Sequence, residues 1–597
     1  MSAMDDFEAA ERGFIGALPS GSVHAADGRE VWNGDAYAFL DGERPKTVNA
    51  SLWRQSRLTA KQGLFEVTPG VYQVRGLDLS NISFIEGDSG VIVVDPLLST
   101  ETAAAALSLY REHRGDRPVT AVLYTHSHVD HFGGVLGVVG RDTDVPILAP
   151  AGFLEHAVSE NVHAGPAMAR RSILMYGSAL PKGPRGQVGC GLGQTTSTGT
   201  VSLLPPTHDV THTGQEETLD GVRFLFQLTP GTEAPAEMNF LLTDRRVLCM
   251  AENATHNLHN LLTLRGAPVR DPRTWADYLT EAIELFADRA DTLFASHHWP
   301  TFGRVELTRF LTEQRDLYAY LHDQTLRLIN QGHTGIEIAE MIELPPRLEK
   351  AWHTKGYYGS VSHNVKAIYQ LYMGWFDGNP AHLWEHPPAE SAVRYVECMG
   401  GASTVQDKAR SYADRGDLRF AATLLNHVVF ADSRNRQARE QLAGVYERLG
   451  FGAENGPWRN FYLQGAAELR GDVPKAERHR GGSDATLTTA LTAEQFFDGL
   501  AVRLNGPRAW QERFVIDWRL TDLGRTIRLR LANGVLVRTR PSREVADLTL
   551  TLTRAQLPAV LGGRRTHELR TEGDAGLLDR LLGLLDRPRR DFPIVTP

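Results

Sequence analysis

The segment THSHVDHFGG at residues 125–134 brings four potential metal ligands close together in the sequence. His126 and His128 are two positions apart, so in an extended chain their side chains point to the same side and can share one cation. Asp130 and His131 follow one short turn later and can reach a second cation. Because imidazole and carboxylate groups bind zinc and similar divalent ions, this spacing predicts a metal centre.

Further ligands are predicted where later apolar strands end. The candidates are Glu233 or Glu237 in TPGTEAPAEMNF (229–240), Glu252 in LCMAENATH (248–256), and His297 or His298 in ASHHWPTFG (295–303). Each follows an apolar strand, and these strands deliver the side chains to the same edge of a sheet. Residue type and spacing leave both members of each pair open.

The elements that must position these residues follow a β/α order that occurs twice, at about 70–165 and about 220–300. In the first half, the predicted strands are GVYQVRG, NISFIEG, GVIVVDP and VTAVLYT, with the helix TAAAALSLYREH between the last two. In the second half, they are VRFLFQLTP, MNFLLTD, RRVLCMAE and DTLFA, around the helix WADYLTEAIELFADR. This repeated order predicts a layered α/β domain.

Two stretches beside this pattern carry separate predictions. Residues 1–60 are predicted to be polar and irregular, with Trp32 and Trp53 as anchors. Residues 165–200 are rich in Gly and Ser and predict a long functional loop.

In the rest of the chain, the pattern of apolar and polar residues changes twice. Beyond about residue 305 the spacing is helical, and 403–470 resembles the paired helices of a tetratricopeptide array without proving a repeat. The polar segment 471–485 is a predicted linker. FVIDWRL, TIRLRLANGVLVRTR and DLTLTLT then predict strands, with ANG as a hairpin turn, so a third, α+β domain is expected.

Composition excludes some classes of function and partner. Lys and Arg number 63 and Asp and Glu number 72, so the formal charge is −9, which is a poor match to general nucleic-acid binding. No apolar stretch is long enough to span a membrane, and the acidic N-terminal segment does not resemble a signal peptide, so a cytoplasmic protein is expected. The separated Cys190, Cys249 and Cys398 predict no disulfide framework.

The HxHxDH segment resembles the metallo-β-lactamase superfamily. A sharper resemblance, to the alkylsulfatase branch, rests on THSHVDHFGG together with RGLDLSNISFIEGDSG (75–90), RRSILMYGSALPKGP (170–184), AENATHNLHNLLTLRGAPVRD (251–271) and YYGSVSHNVKAIYQLYMGWFDGNPAHLW (357–384). These long segments are not shared by lactamases or glyoxalases. The resemblance covers nearly the whole chain after about residue 40.

The resemblance implies a fold of three parts. An αββα metallo-β-lactamase sandwich with an N-terminal extension is expected over 1–310, and an all-α helical dimerisation domain over 311–472. A C-terminal α+β domain similar to sterol carrier proteins is expected over 480–597. The implied assembly is a homodimer formed through the helical domain, and the implied use of the third domain is an apolar, lipid-like groove.

The same resemblance assigns the metal ligands and implies two Zn²⁺ ions per chain. One ion would be held by His126, His128 and Glu233, and the other by Asp130, His131 and His297. Glu252 would stand where the superfamily more often has a bridging aspartate. A glutamate at position 233, where the lactamases carry a histidine, is expected of alkylsulfatases.

The substrate contacts implied by the resemblance follow Glu252. His259 would donate a proton to the leaving sulfate oxygen as a general acid. Asn260 and Arg265 would contact the sulfate, because an amide and a planar guanidinium offer fixed donors to a tetrahedral oxyanion. Tyr176 would line the pocket.

The implied activity is the zinc-dependent hydrolysis of alkyl sulfate esters, such as dodecyl sulfate, to the alcohol and inorganic sulfate. Attack at carbon would invert that centre and attack at sulfur would leave it untouched, and the sequence leaves both open. The alternatives are a metal-dependent hydrolase of a phosphoester, lactone or thioester, and a non-catalytic carrier that kept the fold.

Overall fold

The chain folds into two compact units that alternate along the sequence. A computed structural model describes residues 4–475, 482–564 and 569–597. The first unit comprises residues up to 154 together with 169–483 and 591–597, and the second comprises 155–168 and 484–590. The three domain ranges expected from the sequence stay predictions, and residues 476–481 of the predicted linker lie outside the described residues.

The first unit contains an eight-stranded sheet whose spatial order equals its order along the chain. Its strands are Phe14–Gly16, Gly63–Thr68, Val71–Arg75, Ile82–Glu86, Val91–Val94, Val119–Leu123, Ile147–Pro150 and His208–Val210. Neighbours are antiparallel up to Val91–Val94 and parallel after it. The helix Thr100–Arg114 makes the crossover that a parallel pair requires.

A second, six-stranded sheet follows the same plan. Its strands are Glu216–Leu219, Val222–Leu228, Met238–Leu242, Val247–Cys249, Thr292–Phe294 and Thr301–Phe302. The parallel pair of this sheet, Val247–Cys249 with Thr292–Phe294, is connected by the helix Pro272–Phe286. That helix begins where Asp271 accepts hydrogen bonds from two backbone N–H groups of its first turn and a proline occupies the first helical position.

The two sheets pack face to face, and helices cover their outer faces. Valine, isoleucine and leucine side chains of the first sheet meet Phe224, Phe226 and Phe240 of the second in one buried cluster. On the far side, Leu241 and other side chains of the second sheet pack against Trp275 and neighbouring helical residues. Tyr110 of the first crossover helix stacks on the outer face of the first sheet. The repeated β/α order thus builds the predicted αββα sandwich.

The N-terminal region differs from the prediction of an irregular stretch. It contains the helices Asp6–Glu11 and Ala50–Thr59, the 3₁₀ helix Asp35–Asp41, and a two-stranded sheet of Ser22–His24 with Glu30–Asn33. Short strands have little periodicity of their own, and they form because a partner strand lies nearby. Trp32 and Trp53 are buried, as predicted.

The stretch 165–200, predicted as one long loop, also begins differently. The helix Gly165–Tyr176 occupies its first third, and a segment without strands follows up to His208–Val210. Tyr176 is the final residue of that helix, so its position is set by a regular element rather than by a loop.

The remainder of the first unit is helical, as the spacing predicts. The helices are Arg304–Ile329, Gly335–Met341, Pro346–Lys350, Val361–Met373, Pro388–Cys398, Ala402–Asp414, Leu418–Ala431, Arg436–Gly452 and Gly456–Arg470, with short 3₁₀ turns at Trp352–Thr354 and Pro380–His382. Apolar residues at helical spacing make a separate buried cluster between residues 405 and 469.

The second unit is a five-stranded α+β fold. Its sheet contains, in spatial order, Val535–Thr539, Arg525–Ala532, Phe514–Leu520, Leu548–Leu552 and Arg570–Gly573. Its helices include Ala485–Ala490, Ala493–Ala501, Gly506–Ala509, Leu557–Leu561 and Gly576–Gly583. The predicted ANG hairpin turn is confirmed, because Asn533 and Gly534 both have positive φ angles, which the tight primed turns of β-hairpins require.

Candidate active site

Four strand ends meet at the candidate site and carry most of the predicted ligands, together with Asp95. Asp95 directly follows the strand Val91–Val94, and the histidine segment follows Val119–Leu123. In the second sheet, Glu252 follows Val247–Cys249 and His297 follows Thr292–Phe294. Each pair of strands is parallel, so their carboxyl ends meet at the same edge, where α/β folds form ligand sites.

The structure brings together all seven residues that the resemblance names as metal ligands. Among the described residues, three groups have ligand atoms close enough to hold an ion. His126, His128, Glu233 and Glu252 form one, Asp130, His131 and His297 form another, and Asp95 forms a third with His126 and His131. One Glu252 oxygen, Oε2, lies 3.3 Å from the Nε2 atoms of both His126 and His131 and 3.2 Å from that of His297. This carboxylate therefore lies between the first two groups.

The tautomers of three histidines show that the cluster fits cations. His131 Nδ1 donates to Asp95 Oδ2 at 3.0 Å, and His297 Nδ1 donates to the Leu79 carbonyl at 3.1 Å. Thr125 Oγ1 gives its proton to Asp95, so it accepts from His126 Nδ1. In neutral imidazoles, each of these rings then directs an unprotonated Nε2 into the cluster.

Two contacts in the cluster lack the protons that would stabilise them. The Nε2 atoms of His131 and His297 are 3.3 Å apart, and both are acceptors in these tautomers. The second contact is between His126 Nε2 and Glu233 Oε2, which are buried and 3.4 Å apart; the same Glu233 oxygen lies 2.7 Å from His128 Nδ1. Lone pairs that converge in a buried site are satisfied by a metal cation, so the donor set fits the predicted centre.

The electrostatics separate Glu233 from Glu237. Burial alone would raise the pKa of Glu233, but the Arg270 guanidinium holds this pKa well below its usual range. Burial raises the pKa of Glu237 to about 7, and its oxygens accept hydrogen bonds from the Thr232 hydroxyl and the backbone N–H of Glu252. Glu233 thus enters the cluster as an ionised carboxylate, whereas Glu237 accepts hydrogen bonds from the residues around it.

His298 is likewise directed away from the cluster. Its Nδ1 accepts the backbone N–H of His256 at 2.9 Å, and its Nε2 donates to the Gly191 carbonyl at 2.9 Å. His298 has a φ of 65°, a left-handed conformation that non-glycine residues rarely adopt. Asp95 and Ala251 share this conformation, so strained backbone gathers beside the site, as it commonly does at functional centres.

Residues 258–265, named here the substrate loop, carry three of the predicted substrate contacts. His259 Nε2 lies 2.8 Å from Glu252 Oε1, in direct contact with the metal cluster. Asn260 accepts a 2.6 Å hydrogen bond from Arg270 Nη1, and its own Nδ2 is buried without a partner among the described residues. Arg265 is partly buried and lies close enough to Tyr176 to act on the pKa of that phenol.

Tyr176 reaches the cluster through a second tyrosine. Its hydroxyl lies 3.2 Å from that of Tyr358, whose ring packs edge-on against the His259 imidazole with centroids 4.9 Å apart. Burial raises the pKa of Tyr358 well above its ordinary value, so this phenol is neutral at pH 7. Tyr358 also belongs to an apolar cluster with Leu79 and Met175, against which Tyr176 packs.

Sequence reasoning missed two residues of the site. Asp95 orients His131 and, through Thr125, His126; the strand-end rule that selected Glu252 applies equally to the aspartate in GVIVVDP. Arg270 bridges Glu233 and Asn260. Because Glu233 is far from Arg270 in the sequence, no local spacing signals this pairing.

The αββα sandwich and its buried ligand cluster define a metal-binding protein of the metallo-β-lactamase type, and comparisons with known proteins agree. The metallo-beta-lactamase superfamily matches residues 75–297, alkyl sulfatase dimerisation matches 334–472, and alkyl sulfatase C-terminal matches 482–597. A linear primary-alkylsulfatase of Pseudomonas sp is 48% identical over 99% of this chain and 90% of its own length. The chain belongs to the alkylsulfatase family of the metallo-β-lactamase superfamily.

Two further relatives differ in the substrates that their names give. An alkyl/aryl-sulfatase of Saccharomyces cerevisiae is 45% identical over 99% of this chain and 93% of its own length. The solved structure of a stereoselective inverting sec-alkylsulfatase from Pseudomonas sp. has a TM-score of 0.96 at 44% identity, covering 99% of this chain and 95% of that one. The predicted order of a lactamase-like, a helical dimerisation and a C-terminal α+β part is confirmed, whereas the likeness to sterol carriers stays a prediction.

A membrane-spanning segment was not expected from the sequence. Among the described residues, no helix combines the length and the apolar character that crossing a bilayer requires.

Proposed function

We propose that this protein hydrolyses alkyl sulfate esters to the alcohol and inorganic sulfate at a centre that holds two zinc ions. The observation that carries the proposal is the buried cluster in which the Nε2 atoms of three histidines lie 3.2–3.3 Å from one Glu252 oxygen. The substrate class is supported by full-length relatives named alkylsulfatases.

We assign the first ion to His126, His128 and Glu233 and the second to Asp130, His131 and His297, with Glu252 shared between them. Nitrogen and carboxylate donors without thiolates suit zinc and related divalent ions. Once bound, two such ions lower the pKa of a water molecule and neutralise charge on oxyanions. Arg270 keeps Glu233 ionised, and Asp95 accepts from His131 Nδ1, which orients this ring so that its Nε2 atom faces the cluster.

The substrate loop supplies the donors for the sulfate. Asn260 Nδ2 is a buried donor without a partner among the described residues, so an oxyanion accepting from it removes an unfavourable desolvation. Arg265 adds a planar guanidinium that fits two sulfate oxygens. His259 Nε2, beside Glu252, is the proton donor that we assign to the leaving oxygen.

The apolar cluster beside the loop supports an alkyl rather than a small polar substrate. Leu79, Met175 and Leu192 are buried in it, and Tyr176 and Leu264 are partly buried against it. We infer that the alkyl chain packs against the partly buried members of this cluster, Tyr176 and Leu264. Each buried methylene contributes about 0.8 kcal/mol, which gives longer chains an advantage in binding.

The helical part of the first unit supports a homodimer. Large apolar side chains are exposed between residues 371 and 395, including Trp375 at 76% and Trp384 at 97%. Exposed apolar patches of this kind mark interaction surfaces. A second copy is the occupant that we assign, because the dimerisation family covers this stretch. Light scattering of a Trp375→Ser/Trp384→Ser variant is expected to show monomer at concentrations where the parent protein is dimeric.

The proposed function is tested by measuring sulfate release from sodium dodecyl sulfate, with and without a chelator and with added zinc. We expect release that the chelator abolishes and zinc restores. Metal analysis of the same sample is expected to give two ions per chain. Absence of release from a protein that carries two metals would exclude the alkyl sulfate and redirect the search to phosphoesters, lactones and thioesters.

A further inference from the structure

A segment of the helical region holds the backbone of the substrate loop. Between residues 258 and 262, five backbone groups are hydrogen bonded to residues 355–364. The bonds are Leu258 N–H to the Lys355 carbonyl, Gly359 N–H to the Leu258 carbonyl, Asn364 Nδ2 to the His259 carbonyl, Leu261 N–H to Asn364 Oδ1, and His363 Nε2 to the Leu262 carbonyl. The loop that carries the proposed proton donor is therefore paired along its length with a segment outside the sandwich.

Asn364 makes the central contact of this pairing. Its amide donates to the His259 carbonyl at 2.8 Å and accepts from the Leu261 N–H at 3.0 Å, so one side chain brackets Asn260 from both sides. Asn364 is fully buried in the first turn of the helix Val361–Met373. The amide nitrogen and the amide oxygen of Asn364 are both hydrogen bonded to the substrate loop. They therefore hold the backbone that orients His259 and Asn260.

A second feature of the same pairing is the close approach of the Gly359 backbone to the backbone of His259 and Asn260. A Cβ atom at residue 359 would lie 2.5 Å from the His259 carbonyl oxygen and 2.7 Å from the Asn260 backbone nitrogen. Only glycine allows the two backbones to lie this near. Asn455 donates to the Gly359 carbonyl at 2.7 Å and fixes the opposite side of the same residue.

We propose that Asn364 is a positioning residue for the proposed reaction, which places His259 and Asn260 against the sulfate without touching the substrate. The inference rests on the proposed function. In this proposal the αββα sandwich supplies the metal ligands. The helix Val361–Met373, which lies outside the sandwich, sets the geometry of the substrate loop. A displacement of about 1 Å at reacting groups lowers rates about 100-fold, so a modest shift of this loop is measurable.

The test compares Asn364→Leu with Asn239→Leu. Both asparagines are fully buried, but the amide of Asn239 donates to Gln227 within the second sheet. The measurements are kcat and KM for decyl sulfate, the inhibition constant of inorganic sulfate, and metal content per chain. For Asn364→Leu we expect a loss of about 100-fold in kcat/KM and weaker inhibition by sulfate, with two metals still bound. For Asn239→Leu we expect kcat and sulfate inhibition within about twofold of the parent, because its amide donates to Gln227 and not to the substrate loop.

A second pair keeps the inference testable if Asn364→Leu does not fold. Gly359→Ala places a methyl group against the loop backbone, whereas Gly444→Ala adds one that meets no atom within 4 Å apart from the nearby backbone of its own helix. Gly359→Ala is expected to lose activity with its metals retained, and Gly444→Ala is expected to behave as the parent protein. The positioning role is overturned if Asn364→Leu and Gly359→Ala both keep kinetics close to those of the parent protein. It is also overturned if their activity falls only in proportion to their metal content. A parent protein that releases no sulfate refutes the proposed function instead.

Discussion

Asp95→Asn tests whether the tautomers of the metal-facing histidines are imposed by one carboxylate. Asp95 Oδ2 accepts from the Thr125 hydroxyl at 2.7 Å, the Ser296 hydroxyl at 2.6 Å and His131 Nδ1 at 3.0 Å. Its Oδ1 accepts the backbone N–H of Thr125 at 2.8 Å. Every contact of this side chain is thus an acceptor contact, and the asparagine has the same shape with one acceptor fewer.

Either orientation of the new amide conflicts with its surroundings. If Nδ2 takes the place of Oδ2, it opposes the Nδ1 proton of His131, and the ring is pushed towards the tautomer whose proton occupies the metal-facing Nε2. If Nδ2 takes the place of Oδ1 instead, two donors face each other, the new amide and the backbone N–H of Thr125. Loss of an outer partner of this kind lowers metal affinity about 10- to 100-fold, which corresponds to about 1.4–2.7 kcal/mol.

The assay is competition for zinc against a chelator of known affinity, followed by sulfate release at saturating zinc. Asp220→Asn is the matched control, because Asp220 also accepts from backbone N–H groups and hydroxyls, and its partners Ser89, Gly90 and Thr120 do not belong to the metal cluster. We expect reduced metal affinity in Asp95→Asn and parent-like affinity in Asp220→Asn. Equal zinc affinity in Asp95→Asn and the parent would refute the reasoning from tautomers.

The remaining predictions concern the cluster and a buried ion pair. His126→Ala should lose metal and activity together, measured by metal analysis and sulfate release; full activity would contradict the ligand assignment. Arg170→Met leaves the Glu468 carboxylate buried without its partner and should lower the free energy of unfolding by about 3–5 kcal/mol in a denaturant titration. Adding Glu468→Leu should recover most of this loss, and no recovery in the double variant would show that packing rather than charge dominates.

The part of the site that could be predicted lies close together in the sequence. His126, His128 and His131 all lie just after one strand, so their spacing is visible in a short stretch of the sequence. The choice between Glu233 and Glu237 is different, because both follow the same strand. Glu233 is the one beside Arg270, a contact that only the folded chain provides.

The fold shows the same division. The long α/β elements carry their own periodicity, and their positions were predictable. The strand Glu30–Asn33 was not, because four residues gain their conformation from the strand Ser22–His24 beside them. Asn364 was equally out of reach: in SVSHNVKAIYQ it resembles any polar residue of a first helical turn, and its role depends on a loop more than a hundred residues away.

The alternation of the two units along the chain has a consequence for cutting and rebuilding the protein. Residues 155–168 belong to the second unit although both flanking segments belong to the first, and residues 591–597 return to the first unit after 484–590. Within the first unit, the Phe592 carbonyl accepts from Arg170 Nε at 3.0 Å. After proteolysis between residues 483 and 484, each unit would therefore still contain segments of both fragments. A separable second unit requires a rearranged sequence in which 155–168 is joined to 484–590.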